Sequence, residues 1–215
     1  MIPDFTALRL PPAQYIAEAT TKTGIVLHHT VGGTAKSTVD YWKSTTDRIA
    51  TAFIIERDGT VYQCFDPHYW AYQIGMGSND VDNKRFIGIE MASAGAVVQK
   101  RGKFYDTFNN AVKPEHVYDN GTPYRGFRYF AAYNEAQIAA QIELIEYLLK
   151  LFPTIPRHTP QDHTGYLPSW KNFGGIVSHT HLRTDKSDVH PGYDWSRLTK
   201  RCQLRLIAHE KNELL

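Results

Sequence analysis

Cysteine is scarce in this chain. Cys64 and Cys202 are the only two in 215 residues, and no Cys-x-x-Cys pair occurs. That excludes a cysteine-built zinc module and a dithiol redox motif. Two enclosed thiols are the ordinary expectation, with a disulfide between them left open. Long apolar runs are also missing. No stretch of about 18 apolar residues occurs, so no membrane-spanning helix is expected. The opening Met1-Ile2-Pro3-Asp4-Phe5 lacks the basic segment and apolar stretch of an export signal. The expectation is a protein made in the cytoplasm that does not insert into a membrane. Neither charge sign is in excess: 24 Lys and Arg stand against 22 Asp and Glu, and the pI is near 8.4. That balance is too mild for a nucleic-acid-binding stripe. Internal repeats and linkers are absent, and the length suits one domain with a substantial core rather than two. At 42% hydrophobic and 21% charged residues, the composition is that of an ordinary folded protein.

Periodicity supplies the elements. Residues 1–22, with Pro3, Pro11 and Pro12, read as a lead-in arm holding about one helical turn; residues 23–212 read as the domain. Gly24–Thr30 is a short apolar, β-branched run ending in polar groups, as expected of a buried strand that opens onto a site. Ser37 can cap a helix from Val39 to about Arg48, with Val39 and Trp42 on one face. Thr51–Arg57 and Thr60–Phe65 flank Asp58-Gly59, a hairpin signal. Phe86–Met91 is a further strand. Residues 94–130, rich in aromatics and glycines without a clear period, read as an inserted loop that shapes a groove. Asn134–Phe152 repeats apolar residues at Ile138, Ile142, Ile145, Leu148, Leu149 and Phe152 and predicts a long helix, stopped by Pro153. A proline-rich loop over 154–172 and a last strand at Gly175–Ser178 follow. A final helix from Asp194 or Ser196 should turn Leu198, Cys202, Leu206 and Ile207 inward. Strands alternating with helices predict a single-domain α/β (α+β) fold, a central mixed sheet flanked by helices.

The chemistry-bearing residues collect at predicted strand ends. His28 and His29 close one strand; His179 and His181 close another; Asp188 and His190 lie just beyond. Two imidazoles and a carboxylate from separate segments would make a three-ligand site with a fourth position open, the layout of catalytic rather than structural zinc. Neighbours in a strand face opposite ways, so only one of His28 and His29 can point at a common centre, and spacing alone does not choose. Glu90 closes the strand Ile87-Gly88-Ile89-Glu90-Met91, where a carboxylate is a candidate general base. Lys186, two residues before Asp188, is a candidate oxyanion partner.

Four segments in this order, Ile25-Val26-Leu27-His28-His29-Thr30, Ala52-Phe53-Ile54-Ile55 into Asp58-Gly59-Thr60-Val61, Ile87-Gly88-Ile89-Glu90, and Lys186-Ser187-Asp188 through Tyr193-Asp194-Trp195, resemble the zinc-dependent N-acetylmuramoyl-L-alanine amidases. That family includes phage lysozyme-type amidases, cytosolic anhydromuropeptide amidases and peptidoglycan-recognition proteins. The resemblance spans roughly residues 23–198. It implies one zinc ion per chain on His28, His179 and Asp188, with Glu90 and Lys186 catalytic. His29, His181, His190, Trp70 and Tyr72 become candidates for substrate contact, with His181 and His190 also standing as alternative ligands. The chain departs from the family where Val189 and His190 separate Asp188 from Pro191-Gly192, where Ala52 replaces a frequent histidine, and where Tyr72-Gln73 replaces a frequent aromatic-His pair. The implied activity is hydrolysis of the lactyl amide between N-acetylmuramic acid and L-alanine in peptidoglycan or a muropeptide. The expected setting is a monomeric phage or prophage endolysin released through a holin-type pore. A cytosolic wall-recycling amidase, a zinc hydrolase for another acyl-amino acid amide and a non-catalytic wall-binding module are the alternatives.

Overall fold

In the computed structural model, which describes residues 3–208, the chain folds into two five-stranded sheets, a two-stranded sheet and five α-helices among the described residues. Residues 209–212 of the expected domain lie outside the described residues.

The central sheet is built on β1 (Gly24–His29) and β4 (Phe86–Met91), which pair in parallel. β11 (Gly175–Ser178) flanks β1 in parallel. On the other side β2 (Phe53–Ile55) runs parallel to β4 and turns back into antiparallel β3 (Val61–Gln63). The Asp58-Gly59 signal is realised here, with Gly59 at φ 88. Every residue of β1 is buried, as a parallel strand covered on both faces requires; hence its near-continuous apolar run.

Helix α1 (Ala35–Ser44) starts earlier than expected. Its N-cap is Thr34, whose side chain accepts from the Ser37 N–H, so Ser37 occupies the third helical position of a capping box. A five-residue α2 (Asp80–Lys84) precedes β4. Helix α3 (Glu135–Leu151), capped by Asn134, buries Ile138, Ile142, Ile145, Leu148 and Leu149. This stripe joins Ile25, Leu27, Phe53, Ile54 and Ile89 of the central sheet in the main core.

Residues 94–130 overturn the loop reading. They form an antiparallel sheet ordered β7-β6-β5-β9-β8, from β5 (Ala96–Lys100), β6 (Lys103–Asp106), β7 (Ala111–Val112), β8 (Val117–Tyr124) and β9 (Phe127–Ala131). Two of its turns are Arg101-Gly102 and Arg125-Gly126, in which both residues have positive φ. That geometry matches two-residue hairpin turns, which usually carry Asn or Asp first; arginine in that place hid the hairpins. Gly121, at φ 75, sits where β8 shifts register and blurs the alternation further.

Two smaller corrections concern the C-terminal part. The proline-rich loop contains β10 (His158–Pro160), which pairs in parallel with β12 (Arg205–Ile207). Helix α5 (Trp195–Cys202), N-capped by Asp194, buries Leu198 and Cys202 as expected. It ends where Gln203 turns left-handed, so Leu206 and Ile207 lie in the strand β12, and Leu206 is 46% exposed. Both cysteines are buried and unbridged. Residues 3–22 bridge the sheet edge at Asp4–Tyr62 and pair Ile16 with Trp70, while Leu10 and Tyr15 enter the main core.

Candidate metal centre and active site

Strand register brings the chemistry together. β1, β4 and β11 run in parallel, so their carboxyl ends share one edge, where open α/β sheets place ligands. His28 pairs with Glu90, and Leu27 with Ser178. His179 follows Ser178 directly, as the first residue of the short helix α4 (His179–Leu182). Three chemically active side chains thus arrive at the same level, His28 and Glu90 at the ends of β1 and β4 and His179 just beyond β11.

The loop after α4 supplies Asp188. Its backbone carbonyl accepts from the Thr180 N–H at 2.9 Å. The Asp188 Oδ2 atom lies 3.0 Å from His179 Nδ1 and 3.3 Å from His28 Nδ1, and the two imidazole nitrogens are 3.1 Å apart. All three residues are buried, and they form a group able to hold a metal ion. Donors around a tetrahedral zinc at about 2.0–2.2 Å sit about 3.4 Å apart, so the observed spacings fit that ion. The donor chemistry, two imidazoles and one carboxylate, fits as well. His179 Nε2–H donates to the Ile74 carbonyl at 2.9 Å, an outer contact typical of ligating histidines that turns Nδ1 towards the group. His28 Nε2 is enclosed with no partner among the described residues. Burial raises the Asp188 carboxyl, but His179 and His28 outweigh it and hold the group well below the usual carboxylate range.

The group lies in a cavity of about 540 Å³ that also receives Glu90, Lys186, Tyr72, Gln73, Ile74 and Arg183. Glu90 Oε2 is buried without a partner among the described residues. Burial pushes its carboxyl up to about 7; His28 pulls against that rise, Asp188 adds to it and Lys186 opposes it. A carboxyl poised near neutrality can accept a proton and give it back.

The other candidates separate. His29 points away from His28, as strand alternation requires, with Nδ1 2.8 Å from the Tyr133 hydroxyl; it still borders the cavity. Tyr72 lines the cavity wall and is 37% exposed. Trp70 is not among the lining residues: it is buried, meets Tyr72 edge-on and donates Nε1–H to Glu18. His181 faces the opposite side of α4. It accepts from the Ser178 N–H and donates to the Asp162 carbonyl, beside a separate cavity of about 380 Å³. His190 is fully buried, with both ring nitrogens bonded to backbone at Ala131 and Gly192. Burial lowers the imidazoles of His29 and His181 to about 4 and that of His190 to about 3.

A family model described as N-acetylmuramoyl-L-alanine amidase matches residues 18–192. The chain belongs to this family. Its fold is similar to that of several solved structures. One is the N-acetylmuramyl-L-alanine amidase AmiD from E. coli, in complex with its substrate anhydro-N-acetylmuramic acid-L-Ala-D-gamma-Glu-L-Lys, at 17% identity and a TM-score of 0.55, covering 86% of this chain and 59% of AmiD. PlyL follows at 11% identity and 0.54, covering 94% of this chain and 97% of PlyL. AmpDH3 from Pseudomonas aeruginosa matches at 16% and 0.53, covering 94% of this chain and 66% of that one. The chain thus spans about three fifths of the AmiD chain. No curated protein matches it by sequence.

Several groups of this candidate site carry no residue-type signal. Ile74 contributes through its carbonyl, which accepts from His179 and from Arg183 Nη1 at 3.2 Å. Arg183 also forks onto Asp185, and its guanidinium occupies the space a Cβ at Gly75 would need. A backbone acceptor and a steric gap are invisible to residue-type patterns; the adjacency of Arg183 to the Lys186–Asp188 segment was the one available hint.

Proposed function

We propose that this amidase is zinc-dependent and hydrolyses the lactyl amide joining N-acetylmuramic acid to L-alanine in peptidoglycan or its fragments. The observation that carries the reading is the meeting of His28, His179 and Asp188 in one cavity with Glu90 and Lys186. One zinc ion per chain, held by those three side chains, would supply Lewis acidity for the amide carbonyl and for the attacking water. Glu90 takes the proton of that water as it adds to the carbonyl carbon, and later returns it to the departing L-alanine nitrogen. The Lys186 ammonium stabilises the oxyanion that develops on the carbonyl oxygen. Tyr72 and His29 border the substrate groove, and Tyr41 and Ile49 extend its apolar rim.

A complete donor set favours catalysis over mere wall binding, because a binding module has no use for a buried carboxyl poised near neutrality beside such a set. We place the protein as a monomeric endolysin of phage or prophage type, released through a holin-type pore. Recycling of wall fragments inside the cell is the second setting. No helix among the described residues is long and apolar enough to cross a membrane.

The test measures bound zinc and release of stem peptides from purified cell wall, on wild type and on Asp188→Ala. Stoichiometric zinc and released peptides in the wild type, both lost in the variant, are expected. Zinc and activity that survive in the variant would remove Asp188 from the ligand set. A zinc-loaded wild type that binds wall without cutting it would make the protein a recognition module.

A further inference from the structure

The two residues that separate Asp188 from Pro191-Gly192, Val189 and His190, are both fully buried. Val189 enters the main core. The His190 ring is clamped in an aromatic cage. Tyr133 stacks on it at 4.2 Å and 8°, Phe130 at 4.7 Å and 20°, and Tyr118 at 5.6 Å and 23°. Phe130 and Tyr118 belong to β9 and β8 of the antiparallel sheet, and Tyr133 lies two residues beyond the end of β9. Polar ties fix the ring within its plane: Nε2–H donates to the Ala131 carbonyl at 3.0 Å, and Nδ1 accepts from the Gly192 N–H at 3.2 Å. A Cβ at Gly192 would press on both His190 Cε1 and the Tyr118 ring at 2.9 Å, so the cage needs glycine there.

A second tie leads to the other side of the metal group. The Tyr133 hydroxyl accepts from the His190 backbone N–H at 3.3 Å and lies 2.8 Å from His29 Nδ1. Having accepted from His190, it can donate to His29. One hydroxyl therefore links the residue next to His28 with the residue two places after Asp188. A further brace comes from the β8–β9 turn, where Arg125 donates to the Thr184 carbonyl in the loop carrying Lys186.

We propose that His190 and Tyr133 are positioning residues: the antiparallel sheet is a platform that holds the Asp188 carboxylate at the right place relative to His28 for the metal. This rests on the zinc reading above. His190 is then neither a ligand nor a substrate contact, and the sheet serves the metal centre from behind. Groups that hydrogen-bond metal ligands directly are worth about 10- to 100-fold in metal affinity; a tie one residue further out acts at the low end of that range.

The experiment measures zinc dissociation constants by chelator competition for wild type, Tyr133→Phe, His190→Phe and His190→Ala, with thermal unfolding of the metal-free proteins alongside. Ile142→Val, a core change in α3 away from the cage, is the control for lost stability. Tyr133→Phe keeps the stack and removes only the hydroxyl, so it tests the tie even if His190→Ala fails to fold. We expect zinc affinity to fall about 10-fold in Tyr133→Phe and more in His190→Ala, with His190→Phe between them and Ile142→Val unchanged. Wild-type zinc affinity in both Tyr133→Phe and His190→Phe overturns the anchor and leaves the zinc reading standing. So does an equal loss in Ile142→Val, which would make the effect one of general stability. A wild type that takes up no zinc overturns both readings.

Discussion

Replacing Glu90 by glutamine should stabilise the metal-free protein while removing its turnover. The Glu90 carboxyl has an ordinary value of 4.5 and is raised by burial to about 7. Its charged form is therefore favoured in the unfolded chain, and folding retains the proton. Between these two values the native state binds more protons than the unfolded state, so this group's contribution to stability falls as pH rises. A rise of about 2.5 in pKa at 1.36 kcal/mol each gives about 3 kcal/mol as an upper bound. Partial solvent access to the residue leaves about 1–3 kcal/mol. Glutamine carries no charge, so the variant escapes this loss. Urea unfolding of chelator-treated wild type and Glu90→Gln at pH 4.5 and pH 8 gives two stability differences. The pH 4.5 value absorbs whatever the amide itself changes in packing or hydrogen bonding. The increase from pH 4.5 to pH 8 reports ionisation alone and should favour the variant. A difference that stays constant across this range would refute the claim that Glu90 is held in an unfavourable charged state. Loaded zinc should shrink the increase, because a nearby cation favours the carboxylate.

Buried neutral imidazoles act in the opposite sense. His181, lowered from 6.5 to about 4, contributes stability that is complete above pH 6.5 and is lost as pH falls towards 4. His181→Gln should therefore reduce the pH slope of unfolding free energy near pH 5 by about one proton, or about 1.4 kcal/mol per pH unit; an unchanged slope would refute this. Gly75→Ala places a methyl against the Arg183 guanidinium at a φ of 85, and should lower thermal stability by about 1–3 kcal/mol and weaken cleavage of cell wall by disturbing the Ile74 carbonyl. Leu148→Ala, at a position with no exposed surface in α3, should cost about 2–5 kcal/mol in urea unfolding and leave the zinc stoichiometry intact.

Much of this was written locally. The Ile138-to-Leu149 stripe of α3, the apolar runs of β1 and β4 and the Asp58-Gly59 turn each declare themselves within a few residues, because helix and strand periods are set by the backbone. The motif resemblance also singled out His28, Glu90, His179, Lys186 and Asp188, which the fold gathers around one cavity. The antiparallel sheet over residues 94–130 stayed hidden because its turns use Arg-Gly rather than Asn-Gly and a bulge interrupts β8.

By itself the sequence determined the type of fold, the family and a short list of reactive side chains, all properties of residue identity and spacing. Spacing alone left open which neighbour of each pair faces the centre, and the resemblance only implied a choice. Tertiary structure decided that. Parallel register sets His28 level with Glu90 and turns His29 towards Tyr133; the His181 ring goes to the far side of α4, and the aromatic cage closes around His190. The physical reason is that the candidate ligand set is defined by distances of about 3 Å between segments as far apart in sequence as His28 and Asp188. Such distances depend on strand register and on stacking against a distant sheet, neither of which is encoded in any local window.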